Sequence, residues 1–174
     1  MFTVFTYIQP MLTQISGFPI ASVSPILLVF GAGLSAGNLL GGRFADRNLR
    51  SALVATLGMM IVVLLVMAPA MKLQATAVIA VGLLGPASFA TVAPLQLRVL
   101  QEAGTAGQTL ASSLNIAAFN LGNAIGAWLG GWAIERGPGL AALPLVGAVV
   151  TAGGLGLALT SLRRDRQADT PARA

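Results

Sequence analysis

Thr6, Gln9, Asn38, Asn115 and Asn123 are polar side chains set inside long apolar stretches. Uncharged amides and hydroxyls in such surroundings can do one kind of chemistry. They hydrogen-bond a neutral solute, or they hydrogen-bond one another. Stronger chemistry is absent from the composition. The chain holds no Cys and no His, so thiol nucleophiles, disulfides, His-bearing metal sites and imidazole proton relays are excluded. Its five acids all fall between the apolar stretches or in the tail. An enzyme needs clustered acids, a His, a Cys or a Ser–base pair. No catalytic residue, metal site or cofactor is therefore expected.

The elements that position these groups follow from the charge map. Of 174 residues, 9% are charged and 56% are hydrophobic, against about 25% charged in soluble domains. Such a chain cannot cover a soluble surface, and it is far too apolar for disorder. Residues 1–42, 51–71, 73–97, 103–134 and 137–162 contain no charge at all. A spanning helix needs about 20 apolar residues. Gly17-Phe18-Pro19 divides the first block. Six spans are expected, at about 1–15, 21–42, 51–71, 75–95, 109–132 and 140–161. The first span is short, and it lacks the positive n-region of a signal peptide. It reads as the distal part of a longer helix in a larger protein. Residues 1–162 form one membrane domain in this reading, and 163–174 a basic tail.

Loops 43–50 and 96–108 and the tail hold eight of the ten Lys and Arg residues. By the positive-inside rule that side is cytoplasmic, as are both termini. Topology thus accounts for the net charge of +5, and no nucleic-acid partner is expected. The lipid bilayer is the expected surrounding.

The loop Gly41-Gly42-Arg43-Phe44-Ala45-Asp46-Arg47-Asn48-Leu49-Arg50 resembles that of the major facilitator superfamily. That family repeats Gly-x-Leu-x-Asp-Arg-x-Gly-Arg-Arg/Lys between spans two and three of each six-helix half. Gly42, Asp46, Arg47 and Arg50 match; Phe44, Leu49 and Ser51 depart. The wider text is similar to the drug/proton antiporter branch, and within it to sugar- or arabinose-efflux-like permeases. The strings that carry this are Phe2-Thr3-Val4-Phe5-Thr6-Tyr7-Ile8-Gln9-Pro10, Gly37-Asn38-Leu39-Leu40-Gly41-Gly42 and Ala111-Ser112-Ser113-Leu114-Asn115-Ile116-Ala117-Ala118-Phe119-Asn120-Leu121-Gly122.

The resemblance implies an all-α membrane protein of six transmembrane helices. It would be the carboxy-terminal half of a major facilitator fold, a 3+3 inverted repeat. It implies secondary active transport, with efflux of a sugar or drug by alternating access at a bacterial inner membrane. The partners would be a small-molecule substrate and a missing amino-terminal half. The alternative is a truncated, non-transporting bundle, or a half that pairs with a second copy. No ionisable residue lies deep in any span, so a proton relay would belong to the absent half.

Gly33, Gly37 and Gly41 share one helix stripe, as do Gly122, Gly126 and Gly130. Small-xxx-small spacing admits close backbone approach. Ser112, Asn115 and Asn123 lie on or beside the second stripe; Trp128 and Trp132 lie opposite. Asn115 and Asn123 read either as substrate path or as interhelical glue, and Asn120 as glue. Phe2, Phe5, Thr6 and Gln9 share a face of span one. Phe5, Thr6 and Gln9 are taken as path candidates, with Asn38 weaker, alongside Phe89, Thr91 and Gln96. Pro10 should kink span one, and Gly85-Pro86 and Pro94 should bend span four. Arg98 and Glu102 can pair one turn apart.

Overall fold

The computed structural model describes residues 1–168, without the side chains of Ala106 and 165–168. The rest of the expected tail, 169–174, lies outside the described residues. Every regular element among the described residues is helical. The longer helices are α3 (Val23–Arg47), α4 (Leu49–Ala70), α5 (Gln74–Phe89), α6 (Val92–Arg136) and α7 (Leu143–Ala168). Among the described residues, four stretches are long and apolar enough to cross a membrane: Ile20–Arg47, Leu49–Ala70, Gln74–Thr105 and Leu140–Arg164. Their outer faces keep large apolar groups exposed, such as Leu28, Val149 and Leu157. In water such a surface would aggregate, whereas in a bilayer it meets lipid tails.

The amino-terminal segment differs from the single kinked helix expected over 1–15. It comprises α1 (Phe2–Phe5), α2 (Ile8–Pro10) and a wide π-turn over Met11–Ile15, with a break at Thr6 and Tyr7. The break sits four residues before Pro10 because a proline ring clashes with the carbonyl at i−4 and offers no N–H to it. The same physics acts in span four. Pro94 lies four residues after Ala90, and the helix breaks at Ala90 and Thr91 between α5 and α6. Despite its irregular backbone, the segment is central. Val4, Met11 and Leu12 are fully buried and join the main core with Leu64, Met67, Leu84 and Leu143. Ser16 Oγ donates to the Met71 carbonyl at 2.6 Å, and Gln74 Nε2 to the Gly17 carbonyl at 3.1 Å, fixing the segment's far end.

α6 is two helices in one. Gly104 carries φ 61° and ψ −179° inside it, a conformation essentially confined to glycine. The arms 92–103 and 105–136 meet there. The loop expected at 96–108 is thus helical on both sides of one hinge residue. The span expected at 109–132 lies in the second arm, too polar to count among the four apolar stretches.

Packing follows the glycines. α3 lies chiefly on α5, α4 on α7, and the amino-terminal segment on α6 and α7. A methyl added at Gly37 would stand 2.6 Å from Pro86 Cα, and one at Gly41 2.7 Å from Ala90 Cα. On the other side, Gly130 abuts the Tyr7 ring and the Thr3 carbonyl, and Gly126 the Thr3 backbone. Tyr7 OH then donates to the Ala127 carbonyl at 2.9 Å.

The charged loop expected at 43–50 is also corrected. α3 runs on to Arg47 and α4 starts at Leu49, leaving Asn48 alone between them. Asn48 turns the chain at φ −159° and ψ 100°, and its Oδ1 accepts from Ser51 N at 3.0 Å. It satisfies one of the unpaired N–H groups of the first turn, as an N-cap does.

Candidate functional site

Two polar clusters lie inside the bundle, both built around α6. The first spans the Gly104 hinge. Gln96 on the first arm donates from Nε2 to Ser112 Oγ at 3.0 Å, and its Oε1 accepts from Asn115 Nδ2 on the second arm. One amide thereby uses both of its ends, which ties the arms together. Arg98, two residues further on, pairs with Glu102 at 2.9 Å and donates to Ser161 of α7 at 3.4 Å. The hinge is thus braced toward the second arm and toward α7.

The second cluster is a cavity of about 220 Å³ lined by Phe2, Thr3, Ser88, Thr91, Phe119 and Asn123, among others. A neighbouring pocket of about 170 Å³ holds Leu57, Met60, Thr151 and Gly154. The two share Met1, Ser88 and Thr91. Ser88 donates to the Leu84 carbonyl at 2.5 Å, Thr91 to the Ser88 carbonyl at 2.7 Å and Thr151 to the Gly147 carbonyl at 2.8 Å. Each hydroxyl spends its proton on its own helix, so its lone pairs remain to accept from a solute. Asn123 is half-buried, and its amide makes no hydrogen bond to another described residue. The rings of Phe119 and Phe2 meet edge to face at 6.4 Å beside it. The wall therefore offers acceptors, one amide with both donor and acceptor, and two aromatic faces. It offers no charge from a side chain.

The sequence candidates separate accordingly. Asn123 lines the cavity and Asn115 joins the hinge cluster, about 12 Å apart along the helix at 1.5 Å per residue. They do not form one site. Phe5 is half-buried and stacked on Phe30, with centroids 4.8 Å apart and planes at 19°. Its contacts are those of core packing. Thr6, Gln9 and Asn38 are exposed on the bundle's surface. At the charged end, Asp46 and Arg47 are exposed and Arg50 is half-buried. Gly42 has open space where a side chain would go.

Ser88, Thr151 and Phe119 were not singled out from the sequence, and Thr91 and Gln96 only weakly. Nothing in the local pattern distinguishes a serine that faces a cavity from one that faces a neighbour. Asn48 did carry a signal. An Asn with a backbone donor three residues later, at the start of an apolar run, is an N-cap pattern.

No protein-family model matches the sequence. Individual relatives do match. The chain is 41% identical over 170 residues to the inner membrane transport protein YdhP of Escherichia coli O157:H7, covering 98% of this chain and 43% of that protein. It is 34% identical over 172 residues to the MFS-type transporter YtbD of Bacillus subtilis, covering 95% of this chain and 43% of the relative. A chloramphenicol resistance protein of Streptomyces lividans is 38% identical over 129 residues, covering 72% of this chain and 32% of its own length. The chain spans less than half the length of these curated relatives. Apolar helices that meet at Asn48 within a Gly/Asp/Arg segment, glycine-mediated packing and similarity to transporters over nearly all of this chain agree: the chain belongs to the major facilitator superfamily of integral membrane transport proteins.

Proposed function

We propose that this chain is the carboxy-terminal six-helix half of a secondary active transporter that exports a small organic solute by alternating access. The observation that carries this is the coverage: 98% of the chain aligns with only 43% of an inner membrane transport protein. The missing half would supply the opposite wall of the substrate path. The cavity beside Asn123 agrees with that division. At about 220 Å³ it is smaller than the ~300 Å³ at which ligand pockets begin, as one wall of a two-walled site would be.

Six spans in a 3+3 inverted repeat account for the packing. In that scheme span one corresponds to span four and span two to span five. Gly37 and Gly41 of span two rest on Pro86 and Ala90 of span four. Gly126 and Gly130 of span five rest on Thr3 and Tyr7 of span one. Pro10 breaks span one, and Pro94 breaks span four, each at its own i−4 carbonyl. The arginine-rich end would face the cytoplasm. In this reading Asn123 contacts the solute, and Asn115 holds the hinge. Thr6, Gln9 and Asn38 lie on the surface that would meet the other half or lipid. Gly42, Asp46 and Arg47 at the end of α3 and Arg50 at the start of α4 flank the Asn48 turn, which would lie on the cytoplasmic side.

The test is reconstitution. The chain is assayed for efflux of labelled sugars and of chloramphenicol, alone and fused behind the amino-terminal portion of YdhP. The fusion is expected to export at least one solute, Asn123→Leu in the fusion to weaken that export, and the chain alone to be inactive. Export by the chain alone would favour a homodimer and overturn the half-transporter reading.

A further inference from the structure

We propose that the pocket formed by Tyr7, Trp128, Gly131, Trp132, Glu135 and Arg136 binds the headgroup of one phosphatidylethanolamine, with an acyl chain of that lipid lying along α6. The pocket encloses about 500 Å³. It lies at the end of the bundle opposite Asn48. Leu140–Ala142, just beyond Arg136, packs on the Met11–Ile15 turn. Ser16, which follows that turn, is bonded to Met71 at the far end of α4. Tyr7 forms one wall of the pocket. Its hydroxyl donates to the Ala127 carbonyl at 2.9 Å, and a methyl added at Gly131 would stand 2.9 Å from its oxygen. The glycine therefore leaves an open floor beside the ring. Trp128, 67% exposed, and Trp132, 49% exposed, form the other wall. By the helical count Glu135 stands one turn beyond Gly131, and Arg136 one turn beyond Trp132.

Charge and depth select this occupant. Glu135 and Arg136 present opposite charges side by side, and neither side chain makes an ion pair or hydrogen bond with another described residue. Lys72, also at this end, lines no part of the pocket. α7 carries the chain away from here, so that Asp165 lies about 33 Å from Leu143 along the helix at 1.5 Å per residue. An aminoethyl phosphate joins a cation to an anion through two carbons, the complement of that pair. Its ammonium is attracted to the Glu135 carboxylate and donates N–H bonds to it. The rings of Tyr7, Trp128 and Trp132 attract a cation over their faces. The phosphate matches the N–H fork of Arg136. An anionic headgroup would bring no cation to Glu135, and a trimethylammonium has no N–H to give. A free aminoethyl phosphate would leave an apolar track unused. Ile125 and Leu121, both exposed, continue the Trp128 side of the helix. From Trp132 to Leu121 is about 16 Å, close to half of the ~30 Å hydrocarbon core. The track is thus as deep as one leaflet, with the aromatic rings at headgroup level, where Trp and Tyr concentrate.

The test is native mass spectrometry of the full chain released from micelles containing equal palmitoyl-oleoyl phosphatidylethanolamine and phosphatidylglycerol. One phosphatidylethanolamine is expected to stay bound in preference. Glu135→Gln should lower that preference about fivefold, and Glu135→Lys should reverse it. Arg136→Gln, which removes the phosphate contact open to both lipids, should lower retention of both about fivefold. Trp128→Leu with Trp132→Leu keeps an apolar wall without ring faces and should lower the preference about threefold. Lys72→Gln removes a cation from the same end but outside the pocket and should change nothing. All of these side chains are exposed, so the core stays intact. Dihexanoyl phosphatidylethanolamine should be retained at least tenfold less than the long-chain lipid. The chain fused behind the amino-terminal portion of YdhP should hold the lipid as the chain alone does. An unaltered preference in Glu135→Gln, unaltered retention in Arg136→Gln, or an equal change in Lys72→Gln overturns the headgroup site. Equal retention of the short-chain lipid would make the ligand a bare headgroup and overturn the acyl track. Loss of the lipid in the fusion would mean that the other half covers this face, which overturns the assignment.

Discussion

Gly37→Ala isolates the contact on which the helix packing rests. The added methyl would stand 2.6 Å from Pro86 Cα, about 1 Å inside the ~3.5 Å at which carbon atoms make favourable contact. The obstacle is backbone on a neighbouring helix, so no side-chain rotation relieves it. α3 and α5 must separate by about 1 Å along that seam, loosening Phe30, Leu84 and Ala87 of the shared core. Over-packing of this kind costs about 1–3 kcal/mol, and the rigid obstacle places Gly37 at the upper end. Against this, alanine in a helix interior gains up to about 1 kcal/mol over glycine. The net expectation is a loss of about 2 kcal/mol. Gly31→Ala and Gly42→Ala, on the same helix, supply the control, because no atom lies within 4 Å of the new methyl. They should be neutral or stabilising by up to about 1 kcal/mol. Unfolding in mixed detergent, followed by circular dichroism, measures all three. Equal effects at the three positions would refute close packing of α3 on α5 as the source of stability.

Four further outcomes are expected. Gly104→Ala should destabilise by about 1–3 kcal/mol through backbone strain alone, since nothing lies within 4 Å of the new methyl; the same unfolding assay reads it. Asn48→Ala should cost about 0.5–2 kcal/mol through loss of the α4 cap, and Asn48→Ser should recover most of it. Gln96→Leu removes the bonds to both Ser112 and Asn115. Each such membrane hydrogen bond averages about 0.6 kcal/mol, and the loss should appear as faster hydrogen exchange in the 105–136 arm. Glu102→Gln should change stability by less than about 0.5 kcal/mol, because its side chain is 61% exposed and the pair is weakly held.

Much of this protein was open to inspection without coordinates. The absence of Cys and His excluded whole classes of chemistry, and the charge-free blocks pointed to long apolar helices, of which four are found among the described residues. These are properties of composition and of distance along the chain, and lipid acts on them locally. The glycine stripes of α3 and α6 were legible for the same reason. A helix turns through a fixed angle per residue, so spacing of four puts small residues on one side whatever surrounds them.

What those stripes touch was decided by tertiary structure. Gly37 meets Pro86, and Gly130 meets Tyr7, and no local pattern names such partners. The charged turn shrank to Asn48 because helix propagation past Gly42 depends on packing against the neighbouring helix at Ala90 as well as on residue type. That Phe5 stacks on Phe30 was equally unreadable, since which face of a broken helix turns inward depends on where the break falls. The cavity shows the limit most clearly. Ser88 on α5, Thr91 at its end, Asn123 on α6 and, in the adjoining pocket, Thr151 on α7 are far apart in sequence and come together across three helices. Their convergence depends on the rotation and crossing of whole helices. That geometry is set by the sum of close backbone contacts, and it is not written at any one residue.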